Sequence, residues 1–184
     1  MKEQLTHVFS SRKAEQLDNK IRRWLQNPYK ILTPFIFKGM TVLDYGCGNG
    51  FFTIPLSKIV DYAGKVFAVD IQKEMLDKLT DKLQALNISN VTALQRGSEK
   101  LNLPEFVDFA IAVYVVHEIP NQSVFFREIF DLLNQDGKLL IMEPDFIVSK
   151  RKFNKTIEIA KQVGFVESER LNLFLSKSRI LLKK

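Results

Sequence analysis

Cysteine is almost missing. Cys47 is the single one in 184 residues, which excludes an internal disulfide and any cysteine-based zinc site. Long apolar runs are missing too: the longest, Phe109 to Val116, is about a third of a membrane span, so no bilayer-crossing helix is expected. The opening Met-Lys-Glu-Gln-Leu-Thr-His has no apolar h-region, so no secretory leader is expected and the cytoplasm is the expected compartment. There is no internal repeat, low-complexity tract or Gly/Ser linker. Apolar residues make up 46% and charged residues 26%, the balance of one globular domain able to bury a core.

The net charge of +6 is spread unevenly. Residues 1–30 carry seven Lys/Arg against three Asp/Glu, residues 31–149 ten against fifteen, and residues 150–184 ten against three. Basic ends around an acidic middle fit an anionic partner such as RNA or a lipid surface. Solvated lysines fit as simply, because no aromatic-plus-basic RNA motif accompanies them.

Apolar spacing predicts a helix over 11–26, with Leu17, Ile21, Trp24 and Leu25 on one face, broken by Asn27-Pro28. Strands are expected at Thr41–Tyr45, Lys65–Asp70, Val91–Gln95, Asp108–Val113 and Lys138–Met142, the last after a turn at Gly137. Helices are expected over 51–60, 72–86, 122–133 and 153–163. The final apolar runs, near 165–173 and 175–182, have no helix between them and should pair antiparallel. This alternation makes a mostly parallel α/β sheet with right-handed crossovers, helices on both faces and an antiparallel C-terminal hairpin.

The most specific stretch is VLDYGCGNG, residues 42–50. A buried strand ends in Asp44, and Gly46, Gly48 and Gly50 follow at alternate positions. Ligands of such sheets bind beyond the carboxyl ends of the strands, next to the first one. A dinucleotide needs G-x-G-x-x-G facing a pyrophosphate. Here Phe51 takes the place of the third glycine, and Asp44 is a carboxylate a pyrophosphate would not favour. A ligand with an ammonium and a sulfonium on a thin chain fits better: Asp44 fixes the amino-acid end, and the glycines let the backbone approach it. Asp70 ends the second strand, where a carboxylate can accept both hydroxyls of a ribose. Capping the following helix is its plainer role.

VLDYGCGNG, AVDIQKEML, GSEKLNLP, DFAIAVYVVHEIP and LLNQDGKLLIMEP together resemble the class I S-adenosylmethionine-dependent methyltransferases. The likeness covers about residues 20–184. It is greatest to the branch with the ubiquinone/menaquinone-biosynthesis C-methyltransferases and many small-molecule methyltransferases. The resemblance implies a Rossmann-like, doubly wound, seven-stranded sheet in one domain of residues 1–184: a cofactor-binding core from 39 and an N-terminal helical extension over 1–38. It further implies Asp44, Gly46, Cys47, Gly48 and Gly50 around the methionine moiety of S-adenosylmethionine, Asp70 on the ribose and Ile71 against the adenine. Gly97, Ser98 and Glu99 would lie at the adenine rim. Relatives often have Gly-Asp-Ala there, so Ser98 Oγ or Glu99 would take over the contact made by that Asp. Tyr114 would approach the methionine part.

Methyl transfer from a sulfonium needs alignment and exclusion of water, and a base only where the acceptor must lose a proton. The candidates follow the fourth strand: His117 as general base, with Glu118 orienting it or binding a cationic acceptor. The plainer alternative has His117 capping the strand end and Glu118 anchoring a hydrogen bond. Glu143 either lines the acceptor side or simply ends its strand. No Asn/Asp-Pro-Pro-Tyr follows the fourth strand, which argues against methylation of exocyclic base or glutamine nitrogens. The lack of further cysteines argues against an arsenite relay. Only a short stretch separates the fifth strand from the next helix, so the expected lid is the N-terminal segment, with His7, Phe9, Arg22, Arg23, Trp24, Tyr29 and Phe35; Trp24 and Phe35 are expected in the core. A small-molecule acceptor is the expectation. An RNA or protein methyltransferase and a non-catalytic cofactor-binding protein are the alternatives.

Overall fold

The computed structural model describes residues 26–184; the helix expected over 11–26, but for Gln26, lies outside them, as do Trp24 and the expected lid residues His7, Phe9, Arg22 and Arg23. Asn27-Pro28 does more than break a pattern. Asn27 Oδ1 accepts the Tyr29 and Lys30 amides at 3.0 and 3.4 Å, and Pro28 takes the first position of α1 (Pro28–Leu32), where its missing N–H costs nothing. Ile31, Leu32, Phe35 and Ile36 are buried, and the Phe35 ring packs 6.1 Å from that of Phe109.

The following elements are β1 (Thr41–Tyr45), α2 (Thr53–Val60), β2 (Lys65–Asp70), α3 (Lys73–Ala85), β3 (Val91–Gln95), β4 (Val107–Val113), a 3₁₀ turn (Val116–Glu118), α4 (Gln122–Leu132), β5 (Leu133–Pro144), α5 (Lys150–Val163), β6 (Phe165–Glu169) and β7 (Ser176–Lys183). They form one seven-stranded sheet in the order β3-β2-β1-β4-β5-β7-β6. Strands β1 to β5 pair parallel; β7 pairs antiparallel with both β5 and β6. The expected hairpin is therefore present, with its second strand inserted between β5 and its first.

Expectations shift at several element ends: the helix expected from 51 starts at Thr53, and the strand expected near 165–173 stops at Glu169. Ser149 Oγ accepts the Lys152 amide at 3.2 Å, and this cap starts α5 at Lys150 rather than 153. Strand β5 begins before Gly137: Leu133 is buried and already pairs with Val107, and a register shift before Phe109↔Lys138 absorbs the irregular backbone at Asp136, whose φ is 61°.

The sheet separates two apolar layers because alternate strand residues face opposite sides. Leu43, Phe67, Val69, Ala110, Leu139 and Leu181 pack with Phe125, Phe126 and Ile129 of α4 and Phe153 and Ile157 of α5. Val42, Val66, Phe109, Ile111, Leu140 and Ile180 pack with α1, the loop to β1, and Leu56 and Val60 of α2. Helix α3 lays Leu76, Leu79 and Leu83 against Cys47 and Ala68. At the carboxyl end of the parallel strands only loops remain, and there the polar groups gather.

Candidate active site

Strand β1 delivers Asp44 to that end on the face covered by α2. It is 2% exposed, and Thr53 Oγ1, at the first turn of α2, donates to Asp44 Oδ2 at 2.6 Å. Burial pushes its carboxyl up to about 7; the bond from Thr53 pulls it down and the negative charge of Asp70 adds to the rise. The loop then turns back on β2. The Gly46 and Cys47 amides both donate to Val69 O, at 2.8 and 3.0 Å. At Gly46 (φ +76°) any side chain would force Val115 to shift, since a Cβ there would sit 2.7 Å from Val115 Cγ2. Gly48 (φ +53°) is different: a Cβ there would meet nothing within 4 Å. Its bare backbone faces open space. Gly50 closes the loop, its amide on Cys47 O at 3.1 Å. Cys47 is buried, and burial pushes its thiol well up, the state of a packing residue rather than a nucleophile.

Asp70, at the end of β2, fastens this loop. Its Oδ2 accepts the Gly48 amide at 2.8 Å and its Oδ1 the Gln72 amide at 2.9 Å, which leaves a lone pair on each oxygen. The side chain thus ties the glycine loop to the start of α3. Ile71 beside it is 49% exposed, a flat apolar surface at the mouth. Gly97, Ser98 and Glu99 are exposed on the adjoining loop. That loop is held from beneath by a pair the sequence did not announce: Arg96 and Glu128 of α4. The Arg96 Nη2–Glu128 Oε1 distance is 3.1 Å, and Glu128 Oε1 also accepts the Leu101 amide at 2.6 Å. The one available signal was an acid on the apolar face of α4.

The third group follows β4. Tyr114 turns the chain at φ 59°; its amide donates to Met142 O at 2.8 Å and its hydroxyl lies 2.5 Å from Ser176 Oγ. Gln26 Nε2 also reaches that hydroxyl. His117, in the 3₁₀ turn, is fixed twice by Glu143: its amide donates to Oε1 at 3.0 Å, and its Nδ1 is 2.5 Å from Oε2. Glu118 stands farther off, its Oε1 3.9 Å from His117 Nε2. Burial alone would push the His117 pKa down; the bond and charge of Glu143, with Glu118, outweigh it and raise it. Burial raises Glu118 too, opposed by His117 and supported by Glu143 and Asp70.

Beside His117 and Glu143 opens a cleft of about 470 Å³, walled by Ile119, Ile147, Val148 and Ile159 with Gln122, Thr156, Lys152 and Lys155 among them. Among the described residues there is no cluster of His, Cys, Asp and Glu able to hold a metal ion, and no helix long and apolar enough to cross a membrane. Asp44 and Asp70 therefore flank a bare glycine backbone and the exposed Ile71, with Glu118 and Glu143 gathered at His117 beside the following strand ends. These residues suit a group with a cationic amine, a sulfonium, a ribose and an adenine, and they would repel a pyrophosphate.

Residues 36–172 match the sequence model of a family described as a methyltransferase domain. The chain belongs to this family, that of the class I S-adenosylmethionine-dependent methyltransferases. Its whole fold is shared with a solved S-adenosylmethionine-dependent methyltransferase from Aquifex aeolicus, 27% identical, at a TM-score of 0.86 over 96% of this chain and 100% of the other. A demethylmenaquinone methyltransferase from Lactobacillus johnsonii is 29% identical over 138 residues, covering 70% of this chain and 55% of the relative. The ubiquinone/menaquinone biosynthesis C-methyltransferase UbiE of Escherichia coli is 31% identical over 108 residues, 58% of this chain and 43% of the relative. The chain thus spans about half the length of these two relatives. The expected family, sheet and cofactor class all stand. Within this family's frame, the sheet brings Asp44, the glycines, Asp70 and Ile71 into one cradle. It sets His117, Glu118 and Glu143 at the next strand ends.

Proposed function

We propose that this chain transfers the methyl group of S-adenosylmethionine to a small-molecule acceptor bound in the cleft beside His117. Bound in the cradle, the cofactor supplies a methyl group already activated on a sulfonium. The protein's work is then to hold, align and keep dry. Asp44 receives the ammonium of the amino-acid end, Asp70 the ribose hydroxyls and Ile71 one adenine face. Gly97, Ser98 and Glu99 form the rim, and Tyr114 closes the methionine side. The N-terminal segment, roughly 1–38, is proposed as the lid.

The observation that carries the acceptor side is the double hold of Glu143 on His117. With Nδ1 committed to a buried carboxylate, the imidazole cannot rotate, and Nε2 is the nitrogen left for substrate. His117 Nε2 would accept the proton of an acceptor hydroxyl or acidic C–H, and the bound sulfonium would supply the methyl group. Glu118, beside Nε2, orients the acceptor. The two quinone-pathway relatives support a phenolic or quinol-like acceptor, and the apolar cleft walls have room for a ring. An RNA acceptor is the second reading, for Lys152 and Lys155 in the cleft walls; the Glu143 carboxylate and the apolar residues that line the same cleft favour the small molecule. The cytoplasm is the proposed compartment, in keeping with a lone buried thiol.

Calorimetric titration with S-adenosylmethionine, S-adenosylhomocysteine and NAD tests the cofactor half. Both sulfur ligands are expected to bind, NAD not, and Asp70→Ala to weaken binding at least about tenfold, the loss of a charged hydrogen-bond partner. Tight NAD binding would overturn it. S-adenosylhomocysteine release across a panel of quinols and phenols, against an RNA panel, then tests the acceptor.

A further inference from the structure

Four exposed apolar side chains stand on two loops that touch at the carboxyl end of the sheet. Phe146 and Ile147 follow β5; Phe174 and Leu175 precede β7; the Asp145 amide donates to Leu175 O at 3.0 Å and joins the loops. Phe146 is 79% and Phe174 58% exposed. The same stretches, residues 144–157 and 170–177, hold six cations, Lys150, Arg151, Lys152, Lys155, Arg170 and Lys177, and a single carboxylate, Asp145. That carboxylate is already paired with Lys177 at 2.5 Å. Among the described residues Lys150, Arg151, Lys152 and Lys155 make no ion pair. Adjacent exposed phenylalanines, aliphatic neighbours and unpaired cations are together more than a solvated face requires.

We propose that this face docks on an anionic lipid bilayer, with Phe146 and Phe174 entering the boundary between headgroups and acyl chains and Lys150, Arg151 and Lys155 meeting lipid phosphates. Three arguments select that occupant. Phenylalanines mixed with Ile147 and Leu175 gain from an apolar medium, whereas RNA recognition needs rings framed by hydrogen-bonding side chains. A second copy of this chain would bring six cations against the same six. Finally, neither signal suffices by itself: a few apolar side chains give marginal membrane affinity, and basic residues near an anionic surface supply the rest.

The position gives the surface a use. Ile147, Lys152 and Lys155 belong both to this face and to the walls of the cleft beside His117, so the cleft opens where the bilayer would lie. A lipophilic acceptor then reaches His117 from the membrane without crossing water; this consequence rests on reading the cleft as the acceptor site.

The test is flotation of the full chain with vesicles of phosphatidylcholine alone and with roughly 30% phosphatidylglycerol. Binding is expected to be at least about tenfold stronger to the anionic vesicles and to fall at least about fivefold at roughly 0.5 M salt. Phe146→Ser with Phe174→Ser, and separately Lys150→Glu with Arg151→Glu, are each expected to lose most of it, while calorimetry shows S-adenosylhomocysteine binding unchanged and the fold intact. Equal binding to neutral vesicles, no binding, or binding that survives both double variants would overturn the proposal. So would an RNA oligonucleotide retained through Lys150 and Arg151, or dimerisation through Phe146 and Phe174, in the absence of vesicle binding. Failure of the wild type to bind S-adenosylhomocysteine would sink the cofactor reading instead and leave the vesicle result standing.

Discussion

Asp44 and His117 are both forced from their ordinary titration, in ways that separate their roles. For Asp44 the folded pKa is about 7 against an ordinary 3.8, so between those values the folded chain binds a proton that the unfolded chain has lost. Stability therefore falls as pH rises through this window, by roughly 4 kcal/mol once both limits are passed. Asp44→Asn removes that cost while keeping an acceptor for Thr53. It is expected to raise the melting temperature of the ligand-free protein at pH 8, to do little at pH 4.5, and to weaken S-adenosylmethionine binding at least about tenfold at pH 8, since a cation would lose its counter-charge. Differential scanning fluorimetry at the two pH values checks the first part and calorimetry the second; an Asn variant less stable at pH 8 would refute the buried-acid account. The pKa of His117 also rises, above 6.5, but this favours the charged form: burial opposes the shift, and Glu143 with Glu118 outweighs it. In Glu143→Gln the imidazole keeps its burial and loses its counter-charge. Its NMR titration midpoint is expected to drop below 6.5. An unmoved midpoint would mean that Glu143 does not set it.

At the scale of the element, the glycine loop and the loop after β3 are built by opposite means. The first is made of missing atoms. Gly46→Ala must push Val115 aside from 2.7 Å and hold a positive φ, a cost of about 3 kcal/mol from overpacking and backbone strain together. Gly48→Ala meets no protein atom, so about 1 kcal/mol of strain is expected, with the ligand rather than the fold sensing the new methyl group. Urea denaturation and calorimetry on the two variants should therefore separate: Gly46→Ala loses stability, and Gly48→Ala keeps it but loses cofactor affinity. Equal loss of stability in both would show that the space over Gly48 is not free for a ligand. The loop after β3 depends instead on a buried charge pair. The side chains of Arg96 and Glu128 are 15% and 4% exposed, and Glu128 also receives the Leu101 amide. Glu128→Ala takes the carboxylate from a guanidinium that keeps Gly97 O on its Nη1, and leaves the Leu101 amide without its acceptor, at an expected cost of about 3 kcal/mol in urea; Glu128→Gln, able to accept from both, should cost much less. The rim that would face the adenine is thus set by α4, whose Phe125, Phe126 and Ile129 share an apolar layer with Leu101 and Leu103 of the same loop.

On the scale of the whole molecule, what could be read from the chain and what could not divide along one line. Strands β1 and β2 begin and end where their apolar runs do, because a parallel strand buried on both faces leaves a continuous signal; β3, at the sheet edge and only half-buried, shows instead as a short run with Val91, Ala93 and Leu94. The Asp44–glycine pattern and Asp70 were legible for a related reason: each lies within a few residues of the strand end that positions it. The partnership of His117 with Glu143 was not, since it arises only where β4 and β5 pair side by side and Val113 lies opposite Met142. Nor was the triangle of Gln26, Tyr114 and Ser176, which joins three distant segments. The place of β7 belongs with these. Pairing alone could have set the C-terminal hairpin at the edge in either order; burial decides it. Ile180 and Leu181 are wholly enclosed, one in each apolar layer, so β7 needs cover on both faces, whereas β6 buries only Phe165 and can serve as the edge. Ending the chain after Gly164 would strip the ladder from Lys138 to Pro144 and remove Phe165, Ile180 and Leu181 from the core. At about 2 kcal/mol for each side chain, that loss, roughly 6 kcal/mol, rivals the whole stability of an ordinary domain. The truncated chain is expected to show no cooperative near-UV melting transition and no S-adenosylhomocysteine binding, although Asp44, the glycines, Asp70 and His117 would all remain. A sharp transition with ligand binding retained would instead put the boundary of the folding unit before β6.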